Sequence, residues 1–301
     1  MEKEIINLIA EKGPLTGAEI WEAVGGDHLI LWRTCKLSRN LAVRTAGTRY
    51  LRLDRRFKGF ARLSPSILRE FLTYSVVGLS GDSDSLEKRS LGVASHIEEV
   101  SKGKLELAFR VISGLSGGLE TERPLNDDAC FIIAGDIVYN MAHDVPRPER
   151  STGKLVNGSD MDIVVIVNDE CGEDLIKRLD NAIYREKYRL LIAPHLREEI
   201  DYIVKDLARV REQVRFDSFK HILACKILQE GTLLYGSEDI FHYFKAMLRN
   251  TGVTGQLEDL EKRAKTSRRD SEEYLLREDP DKIKKESLYL LYPSDESEEF
   301  E

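Results

Sequence analysis

The stretch Gly158-Ser159-Asp160-Met161-Asp162-Ile163-Val164-Val165-Ile166-Val167 decides how this chain reads. Its five consecutive β-branched residues favour a strand. A run without polar alternation belongs inside a sheet covered on both faces. In a strand, side chains at i and i+2 leave by the same face, so Asp160 and Asp162 project side by side while Met161 points the other way. Two like charges held together at a strand end call for a cation. Hard carboxylate oxygens suit Mg²⁺ or Mn²⁺, ions that in two-metal enzymes activate an attacking hydroxyl and stabilise the leaving phosphate oxygen. Paired aspartates also occur at ordinary surface turns. What sets this pair apart is Gly158-Ser159 just before it and the apolar run just after it.

Upstream, Ala129-Cys130-Phe131-Ile132-Ile133-Ala134 is a second apolar run, ending at Gly135-Asp136. Two such runs predict an α/β or α+β fold with a buried mixed sheet. Between this region and the C-terminal half, Leu175, Ile176, Leu179 and Ile183 recur at helical spacing, as expected of a helix lying on the sheet. Tyr184 and Tyr188 lie one turn apart on it; they could stack on a base, although packing roles are commoner for such residues.

Gly158–Val167 resembles the Ser-Asp-x-Asp and hydrophobic-strand signature of the DNA polymerase beta-like nucleotidyltransferase superfamily. Cys130–Asp136 looks like the strand that precedes it there. His221–Ser237 resembles the helix and Leu-Tyr-Gly ending of small bacterial and archaeal members. The three matches fall in order within residues 129–237, about a third of the chain. The resemblance implies transfer of a nucleoside monophosphate from an NTP to a hydroxyl acceptor, with Mg²⁺ or Mn²⁺ as cofactor. Asp160 and Asp162 would be catalytic and metal-binding, and Gly135, Asp136, Gly158, Ser159 and Lys226 would contact the nucleotide. In that superfamily a later strand supplies a third carboxylate, and Asp201 stands in the matching place. Ile200, Ile203, Val204 and Leu207 equally fit a helical stripe, on which Asp201 would be a surface acid.

The chain departs from the superfamily pattern twice. Asp136 stands where Ser or Gly is usual, and a segment from Met141 to Asn157 lengthens the interval before Asp160. In that segment His143, Arg147, Arg150 and Lys154 offer positive charge to a triphosphate; the alternative is a solvent-exposed Pro-rich loop. Lys220, His221 and Lys226 are further candidates for phosphate contacts, against the commoner case of helix lysines facing water.

The N-terminal sixty residues read as three helices and a hairpin. Gly13-Pro14 ends the first helix, Thr16 caps the second, Gly25-Gly26 breaks it, and Asp27 caps a third that runs to about Ser38. Leu41–Arg56 then reads as two strands joined around Gly47. This order resembles winged-helix domains. From His28 to Arg62 there are ten basic residues and one acid, Asp54. Arg33, Lys36 and Arg39 recur at three-residue spacing and would share a helix face, with Arg44, Arg49 and Arg52 on the wing, a surface suited to DNA or RNA phosphates. The alternatives are a solvated charged face and a docking surface for the acidic C-terminus, where Gln256 to Glu301 holds fifteen acids and nine bases. The expected organisation is a winged-helix-like domain at 1–62, a helical connection at 63–125, a nucleotidyltransferase-like domain at 126–245, and a charged helical segment with an acidic tail at 246–301.

The net charge of −8 argues against the whole chain being a nucleic-acid binder, and no apolar run approaches a membrane span. Cys35, Cys130, Cys171 and Cys225 show no zinc or disulfide spacing and suit a reducing cytoplasm. Three functions compete: a nucleotidyltransferase, a non-catalytic DNA-binding regulator with a degenerate nucleotidyltransferase-like domain, and a partner-binding protein that uses its acidic tail.

Overall fold

A computed structural model describes residues 1–116, 125–149 and 151–293. The chain forms two compact units, one of residues 1–97 and 261–301, the other of residues 98–260. No helix among the described residues is long and apolar enough to cross a membrane.

The first unit opens with α1 (Glu2–Lys12), β1 (Leu15–Thr16), α2 (Gly17–Val24) and α3 (His28–Leu37). Thr16 and Glu19 form a reciprocal capping box, and the Asp27 carboxylate accepts from Ile30 N, so both expected helix starts are in place. There follow β2 (Leu41–Thr45), β3 (Tyr50–Leu53), β4 (Ala61–Ser64), α4 (Ile67–Tyr74), β5 (Ser75–Leu79) and the long helix α5 (Ser83–Ser116).

The expected hairpin of β2 and β3 does not form. β2 pairs with β5, and β3 pairs with β4. β5, Ser75-Val76-Val77-Gly78-Leu79, lies in a stretch that reads as helical connection. Its buried Val76 and Val77 give it the stronger claim to the centre of a sheet of order β1-β5-β2. α3 also stops at Leu37, so Arg39 lies beyond the helix and does not extend the face of Arg33 and Lys36.

The second unit contains α6 (Leu125–Asp128), β6 (Ala129–Ala134), β7 (Pro146–Pro148), β8 (Leu155–Asn157), β9 (Met161–Val167), α7 (Gly172–Ile192), β10 (Ile200–Asp206), α8 (Leu207–Gln213), α9 (Phe219–Glu230), β11 (Thr232–Gly236) and α10 (Glu238–Asn250). The chain closes with α11 (Val253–Arg277) and α12 (Pro280–Glu286). Four strands make the expected mixed sheet, order β10-β9-β6-β11, with β10 parallel to β9 and the other pairs antiparallel.

One sheet face carries Phe131, Ile133, Met161, Ile163, Val165 and Ile200 into a core with Ala108 and Ile112 of α5 and Leu175, Leu179 and Ile183 of α7. Ile132, Val164 and Ile166 are buried on the other face, on the side of α9 and α10, both of which contact β6. Both faces are therefore covered, which is why these strands read as unbroken apolar runs. The mixed α/β architecture agrees with the expected class.

Candidate functional site

Asp160 and Asp162 stand at the start of β9, on the face opposite the buried Met161. The alternative helical reading of Ile200–Leu207 fails: Ile200–Asp206 is strand β10, and Asp201 pairs in parallel register with Asp162. The register decides the geometry. Two parallel strands begin together, and each delivers carboxylates from the same end. Asp160, Asp162 and Asp201 offer oxygens that all lie within 4.8 Å of one another.

The turn after β6 is built around this pair of strands. Gly135 has φ +72°, and a Cβ there would sit 2.2 Å from Oδ2 of Asp162. Glycine is required twice over, for the left-handed backbone and for the close approach. Asp136 accepts a hydrogen bond from the Ser159 hydroxyl at 2.7 Å, and Ser159 Oγ accepts one from His143 N at 3.2 Å. Gly158 lies where a Cβ would meet the His143 carbonyl oxygen at 1.8 Å. Thus Gly135, Asp136, Gly158 and Ser159 do converge beside the carboxylates. The unexpected charge of Asp136 is directed at the Ser159 hydroxyl and fastens the first turn to the start of β9.

Lys226, on α9, forms an ion pair with Glu230 at 2.6 Å, and the Tyr139 hydroxyl donates to the same carboxylate at 2.7 Å. Gly135 N also points at Glu230, at 3.4 Å. This buried group backs the turn. Lys220 and His221 lie on the same helix, with His221 Nδ1 2.7 Å from Asp217.

Two further side chains border the cluster. Glu199, buried just before β10, precedes Asp201 by two residues, the spacing that already marked Asp160 and Asp162. That repeat in Glu199-Ile200-Asp201 was the available signal. Arg147, on β7 of the inserted segment, donates from Nε to the Gly158 carbonyl at 2.7 Å and places a terminal nitrogen 2.8 Å from Glu199 and 3.9 Å from Asp160. Its side chain is 12% exposed. Burial raises the Glu199 pKa; Arg147 opposes this, and Asp160 and Asp201 add to it. Lys187 of α7 pairs with Asp201 at 3.0 Å.

Of the other cationic candidates in the inserted segment, His143 is buried and its backbone N donates to Ser159 Oγ beside the carboxylates. Lys154 is exposed, and Arg150 lies outside the described residues. Tyr184 and Tyr188 are both exposed on α7.

The basic residues of the N-terminal unit do not form one free face. Arg33 donates to the carbonyls of Leu275 and Glu278 at 2.8 and 2.6 Å, closing the C-terminal end of α11. Arg49 binds Glu70 and Glu272, and Arg44 binds Glu87. Lys36, Arg39 and Arg52 are exposed.

No protein-family model matches this sequence, and no curated protein matches it significantly.

Proposed function

We propose that this chain is a metal-dependent nucleotidyltransferase that moves a nucleoside monophosphate from an NTP to a hydroxyl acceptor. The observation that carries this reading is the meeting of Asp160, Asp162 and Asp201 at the aligned starts of β9 and β10. The donor set fits Mg²⁺ or Mn²⁺: three carboxylates, with neither thiolate nor imidazole among them. The close approach of Asp162 Oδ2 to position 135, which only glycine permits, holds that carboxylate at the strand end beside Asp160 and Asp201. A divalent ion bound there would polarise phosphate oxygens and ease deprotonation of the acceptor hydroxyl. Asp201, the most exposed of the three, is placed to take that proton. Gly135, Asp136, Gly158 and Ser159 hold the two strand ends at a fixed separation.

The first unit supports a winged-helix-like reading, since three helices accompany a sheet of order β1-β5-β2. Nucleic acid would then be met by exposed basic side chains such as Lys36, Arg39 and Arg52, while Arg33 is committed to the carbonyls of Leu275 and Glu278. Three phosphate contacts give a shallow salt dependence, a log–log slope of roughly −3 at most. Anisotropy of labelled duplex DNA between 50 and 200 mM salt, on the order of the usual range, measures it. A much steeper slope would mean that a different surface binds.

The decisive experiment is calorimetric titration of Mg²⁺ and each NTP into wild type and Asp160→Ala/Asp162→Ala protein, followed by incubation with labelled NTP. Metal-dependent NTP binding that the variant loses, with label transferred to an acceptor, is the expected result. Absence of NTP binding in the wild type ends the enzyme reading.

One observation favours a second reading. Arg147 already provides a cation to Glu199 and stands beside Asp160, as in a site that has given up metal chemistry and serves a DNA-binding regulator. That reading expects no label transfer and no loss of NTP binding when Asp160 and Asp162 are replaced.

A further inference from the structure

We propose that Arg147 is an internal counter-cation that limits how tightly the Asp160–Asp162–Asp201 cluster takes a divalent ion and couples that ion's binding to a polyphosphate. The proposal rests on the metal reading above and adds a regulatory part to the same site.

The inserted segment supplies the geometry. β7 and β8 pair antiparallel, with Arg147 opposite Val156, so the arginine leaves a short hairpin whose second strand leads directly into Gly158 and Asp160. Its guanidinium is fixed at three points: the Gly158 carbonyl, the Glu199 carboxylate, and the neighbourhood of Asp160 Oδ1 at 3.9 Å. A guanidinium does not give up its proton in a protein, so this charge is permanent.

Two consequences follow. A fixed positive charge a few ångströms from a carboxylate ligand opposes a divalent ion at that ligand; even with water-like screening the effect on affinity is roughly tenfold. Arginine also binds phosphate oxygens through two parallel hydrogen bonds, which makes a phosphate a well-matched partner for this guanidinium. A polyphosphate arriving at the site therefore draws Arg147 away from Asp160 as it adds oxygen donors for the ion. Each ligand then strengthens the other by the same factor.

Glu199 makes the account testable in both directions. It balances Arg147 and is not among the three clustered carboxylates. Removing Arg147 takes away the opposing charge, whereas removing the Glu199 charge leaves Arg147 uncompensated.

The test is Mn²⁺ titration, followed by the paramagnetic resonance of free Mn²⁺, on full-length wild type, Arg147→Met, Glu199→Gln and Asp160→Ala/Asp162→Ala proteins. Each is measured with and without inorganic triphosphate, and circular dichroism checks the fold. Arg147→Met is expected to bind Mn²⁺ alone roughly tenfold more tightly than wild type, and Glu199→Gln more weakly. Triphosphate is expected to strengthen Mn²⁺ binding in wild type far more than in Arg147→Met. A purely structural arginine predicts the opposite sign, since losing the anchor of Asp160 would weaken binding. If Arg147→Met is unchanged or weaker while wild type still binds Mn²⁺ through Asp160 and Asp162, the counter-cation role is wrong and the metal site stands. If Arg147→Met does not fold, the proposal stands or falls on Glu199→Gln binding more weakly than wild type. Should no protein in the series bind Mn²⁺, both are wrong.

Discussion

A Cβ on Gly135 would overlap Oδ2 of Asp162, at 2.2 Å, and would have to sit on a backbone at φ +72°. The steric conflict is relieved only if the Asp162 carboxylate swings away, and the strain of the left-handed backbone remains in the main chain. Gly135→Ala is therefore expected to lower stability by about 1–3 kcal/mol and to displace Asp162. Mn²⁺ affinity is expected to fall roughly tenfold or more, the loss of one charged ligand. Urea unfolding and Mn²⁺ titration on the same preparation separate the two effects. A variant that is less stable but binds Mn²⁺ normally would show that Asp162 Oδ2 is not a ligand. At this scale the period of two in the sequence was enough to pair Asp160 with Asp162. It does not reveal what Arg147 touches, since that depends on β10 arriving next to β9 from some forty residues away.

The hairpin of β7 and β8 is closed by one carboxylate. Glu149 is 3% exposed and accepts from the backbone and hydroxyls of Ser151 and Thr152, at 2.6–2.9 Å. Burial pushes its pKa up, but these donors outweigh burial and hold it at about 2. A folded-state pKa below the unfolded value stabilises fully above the ordinary carboxylate range and is lost as pH falls toward about 2. In acid the hairpin is thus expected to open before the sheet does, and Glu149→Gln is expected to open it already at neutral pH. Amide hydrogen exchange of residues 146–157 reads this directly: unchanged protection in Glu149→Gln would mean that the turn is held by something else. The same scale shows what sequence could and could not supply. β6, β9 and α7 were legible because each carries its own apolar pattern, and α9 through the resemblance carried by His221–Ser237. β10 was ambiguous, since Ile200, Ile203, Val204 and Leu207 fit a helical stripe while the resemblance implied a strand, and pairing with β9 decides for the strand. The strands of Leu41–Arg56 were visible, but their partners were not: β2 joins β5 across about thirty residues, a choice made by the core that Val77 enters.

In the whole molecule residues 261–301 belong to the unit begun by residues 1–97. Leu275, Ile283 and Leu291 are fully buried in a core with Ile5, Ile20, Leu29, Trp32, Leu68 and Phe71. Around that core the two segments are tied by polar contacts of both senses: Arg33 on the carbonyls at the end of α11, Arg49 on Glu272, and Lys284 on Asp27 at 3.0 Å. Arg268, buried on α11, also lies 3.2 Å from the buried Glu70. Ending the chain at Leu260 would remove three large apolar side chains, each worth about 2–5 kcal/mol, and would break the buried pair at a cost of about 3–5 kcal/mol. That sum reaches or exceeds the 5–15 kcal/mol, on the order of typical domain stability. Truncation is thus expected to unfold residues 1–97 while leaving 98–260 able to fold, since the second unit is one continuous segment with its own core. Limited proteolysis should then degrade the N-terminal segment and spare a fragment near residues 98–260. A truncated protein whose N-terminal unit resists protease and unfolds cooperatively would show that the C-terminal segment is not needed for that core.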